Sequence, residues 1–407
     1  MKRCFSGKTV VLGVTGSIAA YKACEVASRL VECGAAVIPA LSESACKLIG
    51  PATLEAITGR RAILGLWEPG TASEMEHIAM ARQADLFLVA PATANIIAKA
   101  ANGIADDWIS TTLLATRAPV LFAPAMNTNM YLHPATRDNI ARLRRRGALF
   151  VGPGRGRLAC GTEGEGRLIE TDVILEAAAM ALNPHKDLFG RTILITSGAN
   201  HEPLDPVRYI GNRSTGRMGR AFAMAALSRG ARVWVVRGPS TEPLPAAAQV
   251  TDVQTAREMH DAVMELVPRA DVFIAAAAVA DYRPETTHLS KIKRSPDAFT
   301  LPLVPNPDIA AAVGGNRRPG QILVGFAAET ENVPANGAAK LRAKNLDLLI
   351  ANRVGGARSA IGSEDCEAWL VHRDREPDAY GVIPKTVLAD RVLSEIARML
   401  SAPRPVA

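Results

Sequence analysis

Residues 183–200 read NPHKDLFGRTILITSGAN, and within them the chain repeats the pattern with which it begins. Residues 190–198 read GRTILITSG, and residues 7–17 read GKTVVLGVTGS. Each has a glycine, a basic residue and a threonine, then a run rich in β-branched residues and leucine, then a turn of glycine and small hydroxyl residues. This pattern is typical of the first strand of an α/β unit. The repeat predicts two α/β domains in tandem.

The boundary between the two domains is indicated by Pro184 and the charged residues 185–187, which follow an alanine-rich helical pattern. We predict a first domain over residues 1–182, a linker over 183–190 and a second domain over 191–407. A chain of 407 residues also exceeds the length over which one hydrophobic core usually keeps growing.

The composition is that of an ordinary globular protein, with 48% hydrophobic residues. We expect no membrane span, because no apolar run is long enough. The basic residues 1–3 (MKR) are not followed by the continuous apolar segment of a secretory signal, since polar residues interrupt it. These observations favour a soluble cytoplasmic protein.

The net charge of +7 raises the question of nucleic-acid binding. Residues 1–189 carry an excess of 3 positive charges and the remainder an excess of 4, so the charge is spread along the chain. The one dense run, RLRRR at 142–146, lies in a helical pattern and is interpreted as a solvated helix face. Aromatic residues make up only 4%, which leaves little to stack on bases. Small anionic substrates explain the basicity equally well, and we predict no nucleic-acid partner.

The six cysteines show no C-x-x-C pair, which argues against a zinc site and against a disulfide framework. Cys160 lies in the glycine-rich and charged segment 154–167, which we expect to lie outside the interior of any helix or strand. Its thiol is therefore expected to be accessible. With Arg155, Arg157 and Arg167 nearby, it is either a reactive group or an ordinary loop cysteine.

In the first domain, apolar runs predict parallel strands, each followed by a turn of small, hydroxyl or amide residues. The strands are predicted over 8–14, 35–41, 85–90 and 119–123, and the turns over 15–17, 42–44, 91–95 and 124–127. Because the carboxyl ends of parallel strands meet at one edge of a sheet, the four turns predict a ligand site there. The first turn leads into a helix, which suits a phosphate, but it matches neither a dinucleotide nor a P-loop fingerprint.

The second domain shows the same alternation. Strands are predicted over 192–196, 231–236, 271–276, 322–326 and 347–351. Residues 208–219 (RYIGNRSTGRMG) place arginines, hydroxyls and glycines at the start of a predicted helix over 215–229, a plausible anion cradle. The fold class predicted for the chain is α/β, with two tandem three-layer Rossmann-like domains and mostly parallel sheets.

Four motifs of the first domain resemble those of the flavin-dependent cysteine decarboxylases. PAMNTNMY (124–131) is similar to P-x-M-N-x-x-M-W, with Tyr131 in place of tryptophan, and PATAN (91–95) is similar to P-A-S-A-N. EHI (76–78) resembles the active-site histidine segment, and LACG (158–161) with GEGR (164–167) resembles the substrate-recognition loop. The resemblance implies a flavodoxin-like domain that binds FMN.

Decarboxylation of a cysteine whose amine is already in an amide needs an electron sink, which oxidation of its CH2–SH by a flavin would create. The resemblance implies that the Cys160 thiol donates the proton of the final reduction. It implies an acid/base or carboxylate-positioning role for His77, and contact of Asn127 with the substrate carboxylate and the flavin edge. The implied FMN-binding residues are Gly16, Ser17, Ser42, Pro91, Thr93, Asn95 and Met126.

Seven segments of the second domain resemble the ligase half of the bifunctional coenzyme A biosynthesis proteins. They are EPLDPVRYI (202–210), NRSTGRMG (212–219), AAVADY (277–282), KIK (291–293), NPDI (306–309), VGFAAET (324–330) and KLRAKN (340–345). One departure is SGANH at 197–201, where the family usually has A-G-P-T-R.

The implied reaction uses CTP: the phosphopantothenate carboxylate attacks the α-phosphate, and the cysteine amine then displaces CMP from the acyl-cytidylate. The resemblance implies a catalytic Lys291 on a flap that closes over the phosphates, an Asn212 that steadies the acyl-cytidylate, and Mg2+ held largely by phosphate oxygens and water. It implies a nucleotide site made of Asp281, Lys293, Asn306, Pro307, Asp308, Ile309, Phe326, Lys340 and Lys344. By themselves, Lys340 and Lys344 also fit an exposed helix face, and Phe326 fits a core position.

Two other functions are compatible with the fold. A dinucleotide-dependent oxidoreductase is disfavoured because no glycine fingerprint is present. A flavin-binding regulatory protein of the same fold would be expected to lack the histidine or the cysteine, and both are present. The resemblance further implies a homo-oligomer, with trimer-based assembly of the flavin domain and dimeric ligase domains.

Overall fold

Parallel strands form the centre of each half of the chain in the computed structural model, which describes residues 2–67, 76–159, 161–294, 298–355 and 362–401. The chain divides into two units, residues 1–184 and 185–407. Among the helices of the described residues, none combines the length and the apolar character needed to cross a bilayer.

In the described part of the first unit, the main sheet has five parallel strands in the order β2-β1-β3-β4-β5. Its strands are β1 (Thr9–Val14), β2 (Ala36–Leu41), β3 (Leu86–Ala92), β4 (Val120–Pro124) and β5 (Leu149–Phe150), and the separate pair is β6 (Gly154–Arg157) and β7 (Glu163–Arg167). The helices are α1 (Lys2–Phe5), α2 (Lys22–Glu32), α3 (Glu43–Cys46), α4 (Pro51–Thr58), α5 (Glu76–Gln83), α6 (Ala94–Asn102), α7 (Trp108–Ala115), α8 (Thr128–Leu132), α9 (Pro134–Arg145) and α10 (Thr171–Leu182).

Both faces of this sheet are covered by helices. Side chains of β1 alternate between two cores, with Val10 and Leu12 in one and Val11 in the other. The first core is shared with α2, α4 and α10, and the second with α6, α7 and α9. A strand buried on both faces must be apolar throughout, which explains the continuous hydrophobic run of β1.

The glycine-rich segment 154–167 corrects one prediction. It forms the antiparallel pair β6 and β7, although we expected it to lie outside any strand. The glycines permit close packing of the pair against the turn after β4, because a Cβ on Gly166 would overlap the carbonyl oxygen of Met126 and one on Gly164 would overlap the Thr128 side chain. Cys160, between the two strands in sequence, lies outside the described residues.

In the described part of the second unit, the main sheet has eight strands in the order β12-β11-β8-β13-β16-β17-β18-β19. The strands of this unit are β8 (Thr192–Ser197), β9 (Glu202–Pro203), β10 (Tyr209–Ile210), β11 (Arg232–Arg237), β12 (Gln249–Asp252), β13 (Val272–Ala275), β14 (Tyr282–Pro284), β15 (Leu303–Pro305), β16 (Ile322–Glu329), β17 (Leu348–Arg353), β18 (Asp365–His372) and β19 (Asp378–Pro384). The helices are α11 (Arg217–Ser228), α12 (Ala256–Leu266), α13 (Ile309–Gly315), α14 (Val333–Ala343) and α15 (Lys385–Ser401).

The second sheet is also covered on both faces. The side chains of Ile193 and Ile195 enter a core with α11 and α15, and Leu194 enters a core with α12, α13 and α14. The six strands β12, β11, β8, β13, β16 and β17 run parallel to one another. Strands β18 and β19 extend the sheet beyond β17, and each pairs antiparallel with its neighbour. The predicted α/β class with mostly parallel sheets is confirmed, although the sequence analysis did not find β12, β18 and β19.

Residues 185–190, part of the linker predicted over 183–190, pack with the second unit. Leu188 is fully buried in the core with α11 and α15. The Asp187 carboxylate accepts hydrogen bonds from Arg229, whose Nε lies 2.9 Å away, and Arg229 is itself buried. The two apolar residues of this segment, Leu188 and Phe189, are too short a signal to distinguish an anchored segment from a free one.

Candidate active sites

The first unit has a cavity of about 1110 Å³ at the carboxyl ends of β1 and β3. The strand order reverses its direction at this point, since β1 lies between β2 and β3. Such a switch point is where open α/β sheets bind their ligands. Of the residues predicted to bind FMN or substrate, those that line the cavity are Gly16, Ser17, Ser42, Thr93, Asn95, Met126 and Asn127.

The four predicted turns have the same local structure, because the polar side chain of each caps the helix that follows it: a 3-10 turn over Ile18–Tyr21, then α3, α6 and α8. Ser17 accepts a hydrogen bond from the Ala19 N–H, Ser42 from Ala45, Thr93 from Ile96 and Asn127 from Asn129. Each helix thereby begins at the strand end and directs its N-terminal N–H groups toward the edge of the sheet. The site can bind an anion through backbone groups as well as side chains.

Thr15 links two of these turns, a role that the sequence analysis did not predict. The hydroxyl of this buried residue donates to the Pro91 carbonyl oxygen at 2.7 Å and accepts from the Thr93 N–H at 3.1 Å. Pro91 is itself buried and is not among the residues that line the cavity, so its predicted contact with FMN stays a prediction. A strand-end threonine gives no sequence signal of a contact between turns.

The cavity also has cationic walls. Lys22, Arg157 and Arg167 line it, and the Glu170 carboxylate lies 3.7 Å from the Lys22 ammonium and 2.8 Å from Arg167. The sequence analysis noted the arginines only as neighbours of a thiol, and it did not select Lys22. Their charge suits a phosphate or a carboxylate.

Lys99, Asp106 and Asp107 form a charged cluster at the same cavity. The Lys99 ammonium lies 2.6 Å from Asp106 and 2.9 Å from Asp107. Burial by itself would lower the pKa of Lys99, but the two carboxylates outweigh it and raise the pKa. Asp107 also caps α7, so the cluster fixes the start of that helix.

For two predicted catalytic residues, the described part of the chain shows no position at this cavity. His77 is half-buried in the first turn of α5 and is not among the residues that line the cavity. Cys160 lies outside the described residues, although its neighbours Leu158 and Ala159 line the cavity. The roles predicted for both residues therefore stay predictions.

The second unit has a cavity of about 750 Å³ at the carboxyl ends of β8 and β13, again where the strand order reverses. The predicted residues that line it come from five separate segments: Asn212, Asp281, Asn306, Pro307, Asp308, Ile309, Phe326, Lys340 and Lys344. Phe326 also packs edge-on against Phe222, with ring centroids 5.9 Å apart, so it belongs to both the core and the cavity wall.

Hydrogen bonds hold the loops of this cavity together. The side-chain amide of Asn306 donates to the Ala280 carbonyl oxygen at 2.9 Å. The backbone N–H of Asn306 donates to the Asp281 carbonyl oxygen at 2.8 Å. The Asn212 side chain donates to the Val279 carbonyl oxygen at 2.9 Å. Segments distant in sequence therefore meet at residues 279–281.

Lys340, on α14, and Lys344, the residue that follows this helix, pair with carboxylates at the cavity. The Lys344 ammonium lies 2.9 Å from Asp308, and the Lys340 ammonium lies 2.6 Å from Glu329. Asp308 also caps α13 through the Ala311 N–H at 3.0 Å. The two lysines are therefore cavity residues and not merely an exposed helix face.

Lys291 and Lys293 lie outside the cavity wall, on an exposed segment between β14 and β15. Between them, the Ile292 N–H donates to Asp205 at 3.1 Å and its carbonyl oxygen accepts from Arg208 at 2.6 Å. Burial by itself would raise the pKa of Asp205, but the bonds from Arg208 and from the N–H groups of Val207, Arg208 and Ile292 outweigh it and lower the pKa strongly.

Two further cations line this cavity: Arg217 belongs to the anion cradle predicted over residues 208–219, whereas Lys385 was not predicted. Arg217 lies at the start of α11, and Lys385 lies at the start of α15. Lys385 follows an edge strand that the sequence analysis did not find. In the described residues, no group of three or more His, Cys, Asp or Glu side chains is arranged to hold a metal ion.

Comparison with known proteins covers nearly the whole chain. Residues 1–183 match the family described as Flavoprotein, and residues 188–400 match the DNA/pantothenate metabolism flavoprotein C-terminal domain. The coenzyme A biosynthesis bifunctional protein CoaBC of Mycobacterium tuberculosis is 43% identical over 411 residues, covering 97% of each chain. That of Vibrio cholerae is 45% identical over 390 residues, covering 95% of this chain and 97% of the relative. The chain belongs to the CoaBC family.

Family membership confirms the resemblance found in the sequence and the bifunctional organisation, with a flavoprotein domain before a ligase domain. Among solved structures, the C-terminal domain of a CoaBC protein is similar, with 33% identity, 53% of this chain covered, 98% of that domain covered and a TM-score of 0.45.

Proposed function

We propose that this CoaBC-family chain catalyses two consecutive reactions. Its second unit joins phosphopantothenate to cysteine with CTP, and its first unit decarboxylates the product, phosphopantothenoylcysteine, with FMN. The observation that supports this is the same in both units: separate motifs of the sequence converge on one cavity at a strand-order switch point. The order of the domains along the chain is then the reverse of the order of the reactions.

The first cavity fits FMN. Gly16 and Ser44 both line the cavity, and they lie so close together that a Cβ on Gly16 would overlap the serine, so only glycine allows the turns after β1 and β2 to meet there. The Ser17, Ser42 and Thr93 turns would hold the cofactor, whose chemistry is reversible two-electron transfer. Asn127 would orient the substrate carboxylate, and the cations Lys22, Arg157 and Arg167 would attract the anionic substrate.

Two protonation roles complete the proposal for the first unit. His77 would act as an acid/base or position the carboxylate, and the Cys160 thiol would donate a proton to the substrate carbon. Because His77 does not line the cavity of a single chain, we propose that a neighbouring copy completes the site in a trimer-based assembly. The ligase domains would associate as dimers.

In the second cavity, CTP would enter as its Mg2+ complex, with the ion held by phosphate oxygens and water. Asp281, the turn 306–309 and Phe326 would bind sugar and base, and Lys340 and Lys344 would bind phosphates. Lys291 and Lys293 would reach the phosphates when the segment between β14 and β15 closes. Asn212, held by the Val279 carbonyl, would steady the acyl-cytidylate while the cysteine amine attacks.

The proposal is tested with the purified full chain supplied with phosphopantothenate, cysteine, CTP and Mg2+. We expect flavin absorption, release of CMP that depends on cysteine, and release of CO2 after CMP. Lys291→Ala is expected to lose CMP release while still decarboxylating added phosphopantothenoylcysteine. A colourless protein, or CMP release that continues unchanged in Lys291→Ala, would contradict the assignment of the affected unit.

A further inference from the structure

Lys385 is the first residue of α15, a helix of 17 residues, and it is buried to 9% exposure at the wall of the second cavity. Its ammonium donates to the Ser363 carbonyl oxygen at 2.6 Å. A buried ammonium is costly to maintain, so its position at a cavity calls for an explanation.

The Arg217 side chain, from α11, contacts the residue next to the one that Lys385 contacts. Its Nη1 donates to the carbonyl oxygen of Gly362, the neighbour of Ser363, and its Nε donates to Glu242 at 2.7 Å. The two cations are therefore directed to adjacent carbonyl groups of one turn, beside the cavity that both of them line. Arg217 adds to the electrostatic cost of charging Lys385.

Arg217 and Lys385 lie at a different end of the cavity from Lys340 and Lys344. Helices α11 and α15 cover one face of the sheet, whereas α13 and α14 cover the other. The cavity crosses the edge of the sheet between them, with Lys340 and Lys344 on one side and Arg217 and Lys385 on the other. A cavity with two cationic ends suits a reaction in which both substrates carry phosphate.

Building on the proposed ligase function, we propose that Lys385, with Arg217 beside it, binds a phosphate group of one of the two phosphorylated substrates, CTP or phosphopantothenate. It is a binding residue in addition to those implied by the family motifs. A phosphate at this end would accept charge-assisted hydrogen bonds from both head groups and offset the cost of burying the ammonium.

The surroundings of the Lys385 ammonium, which affect its pKa, agree with this role. Burial lowers its pKa, with smaller contributions from its neighbours, among which the Cys366 thiol and Glu242 act in the opposite direction to Arg217. Cys366 is buried in the core with α11 and α15, and burial raises the pKa of its thiol to about 11, which makes it unreactive. An anion next to Lys385 would favour its charged form.

The test measures binding of CTP and of phosphopantothenate to the full chain by calorimetry, which needs no turnover. The proteins are the wild type, Lys385→Met, Lys385→Arg and, as a matched control, Lys186→Met. Lys186 also donates to a backbone carbonyl oxygen, that of Ser228 at 2.7 Å, but it does not line the cavity.

We expect Lys385→Met to raise the dissociation constant of one substrate by about 10- to 100-fold, as for loss of a hydrogen bond between charged groups. Lys385→Arg should retain part of the affinity, and Lys186→Met should bind as the wild type does. A loss confined to CTP assigns the nucleotide phosphates. A loss confined to phosphopantothenate, and absent with pantothenate, assigns the phosphate of the acid.

Dissociation constants within twofold of the wild type for both substrates would overturn the inference. If Lys385→Met shows no thermal unfolding transition of the ligase unit, the variant has not folded. Lys385→Gln is then measured in its place, and the same dissociation constants decide. A wild type that binds both substrates yet releases no CMP contradicts the proposed function. In that case, the dissociation constants of the Lys385 variants still show whether Lys385 binds a phosphate group.

Discussion

The side-chain amide oxygen of Asn200 accepts a hydrogen bond from the backbone N–H of Ala280 at 2.6 Å. The amide nitrogen of Asn200 donates to Glu202, which in turn accepts from the Ala256 N–H at 2.8 Å. Asn200 is fully buried, and Ala280 immediately precedes Asp281. The segment 197–201, which departs from the usual family pattern, therefore holds the loop that carries a proposed nucleotide contact.

Replacing Asn200 tests this link. Asn200→Ala leaves the Ala280 N–H without its acceptor, and an unsatisfied buried polar group costs about 1–3 kcal/mol. We expect a lower free energy of unfolding of the ligase unit and a severalfold higher KM for CTP, with the decarboxylase unchanged. Thermal unfolding and CMP release measure both effects. His201→Ala is the neighbouring control, since His201 stacks on Tyr209 outside this network; an equal effect of the two substitutions would contradict the role of Asn200.

Gly166 controls the position of the β6–β7 pair. Its φ is +144°, and a Cβ would overlap the Met126 carbonyl oxygen, so Gly166→Ala must displace the pair from the flavin-site turn. We expect loss of bound flavin and of decarboxylation, with CMP release by the ligase unit retained. Gly65→Ala, where no atom of the described residues lies within 4 Å of the added methyl group, should keep its flavin. The flavin-to-protein absorbance ratio is the measurement, and a fully loaded Gly166→Ala protein would disprove the packing argument.

Lys344 is proposed to bind a CTP phosphate, and its ion pair with Asp308 holds its ammonium at the cavity. Lys344→Met should raise the KM for CTP about 10-fold or more, because a charge-assisted contact is lost. Its effect on unfolding should be small, since partly exposed ion pairs contribute about 0–1 kcal/mol. Arg342→Met, two residues earlier in the last turn of α14, removes an exposed cation outside the cavity wall and should leave the KM unchanged. Similar KM values for the two variants would remove Lys344 from the nucleotide site.

Asp205 makes stability depend on pH. Its hydrogen bonds lower the folded-state pKa, so its contribution is fully present above the unfolded-state pKa of about 3.9 and is lost as the pH falls toward the folded-state value. The difference in free energy of unfolding between the wild type and Asp205→Asn should stay constant from about pH 7 to pH 5 and shrink below about pH 4. Urea unfolding of the ligase unit at each pH measures it. The exposed Asp374→Asn serves as a control, and a difference that grows toward low pH would contradict the assignment.

Much of each site could be predicted from the sequence because its residues lie in short motifs at strand ends. Ser17, Ser42, Thr93 and Asn127 were predicted from their turns, and each is a helix cap at the cavity. Local chemistry decides a cap, so local sequence reveals it. The nucleotide-site residues predicted from the NPDI and KLRAKN motifs likewise line the second cavity.

Residues whose roles depend on distant contacts were not predicted. Thr15 joins two turns far apart in sequence, Asn200 reaches Ala280, and Lys385 comes to the cavity after an antiparallel edge strand. In each case the sequence shows only a single residue of a common type, with no periodic pattern around it that would indicate the contact. The hairpin at 154–167 was also missed, because its glycines serve packing against Met126 and Thr128, which the sequence does not reveal.

The sequence alone determined that this protein has two α/β units, that flavin-type motifs precede ligase-type motifs, and which strand ends carry the chemistry. Hydrophobic period and turn chemistry are local properties, so they are readable without coordinates. Only the tertiary structure decided that residues 185–190 pack with the second unit, that the atypical Asn200 supports the loop before Asp281, and that Lys385 and Arg217 meet at one cavity end. Those facts depend on long-range packing, which brings together residues that the chain separates by up to 168 positions.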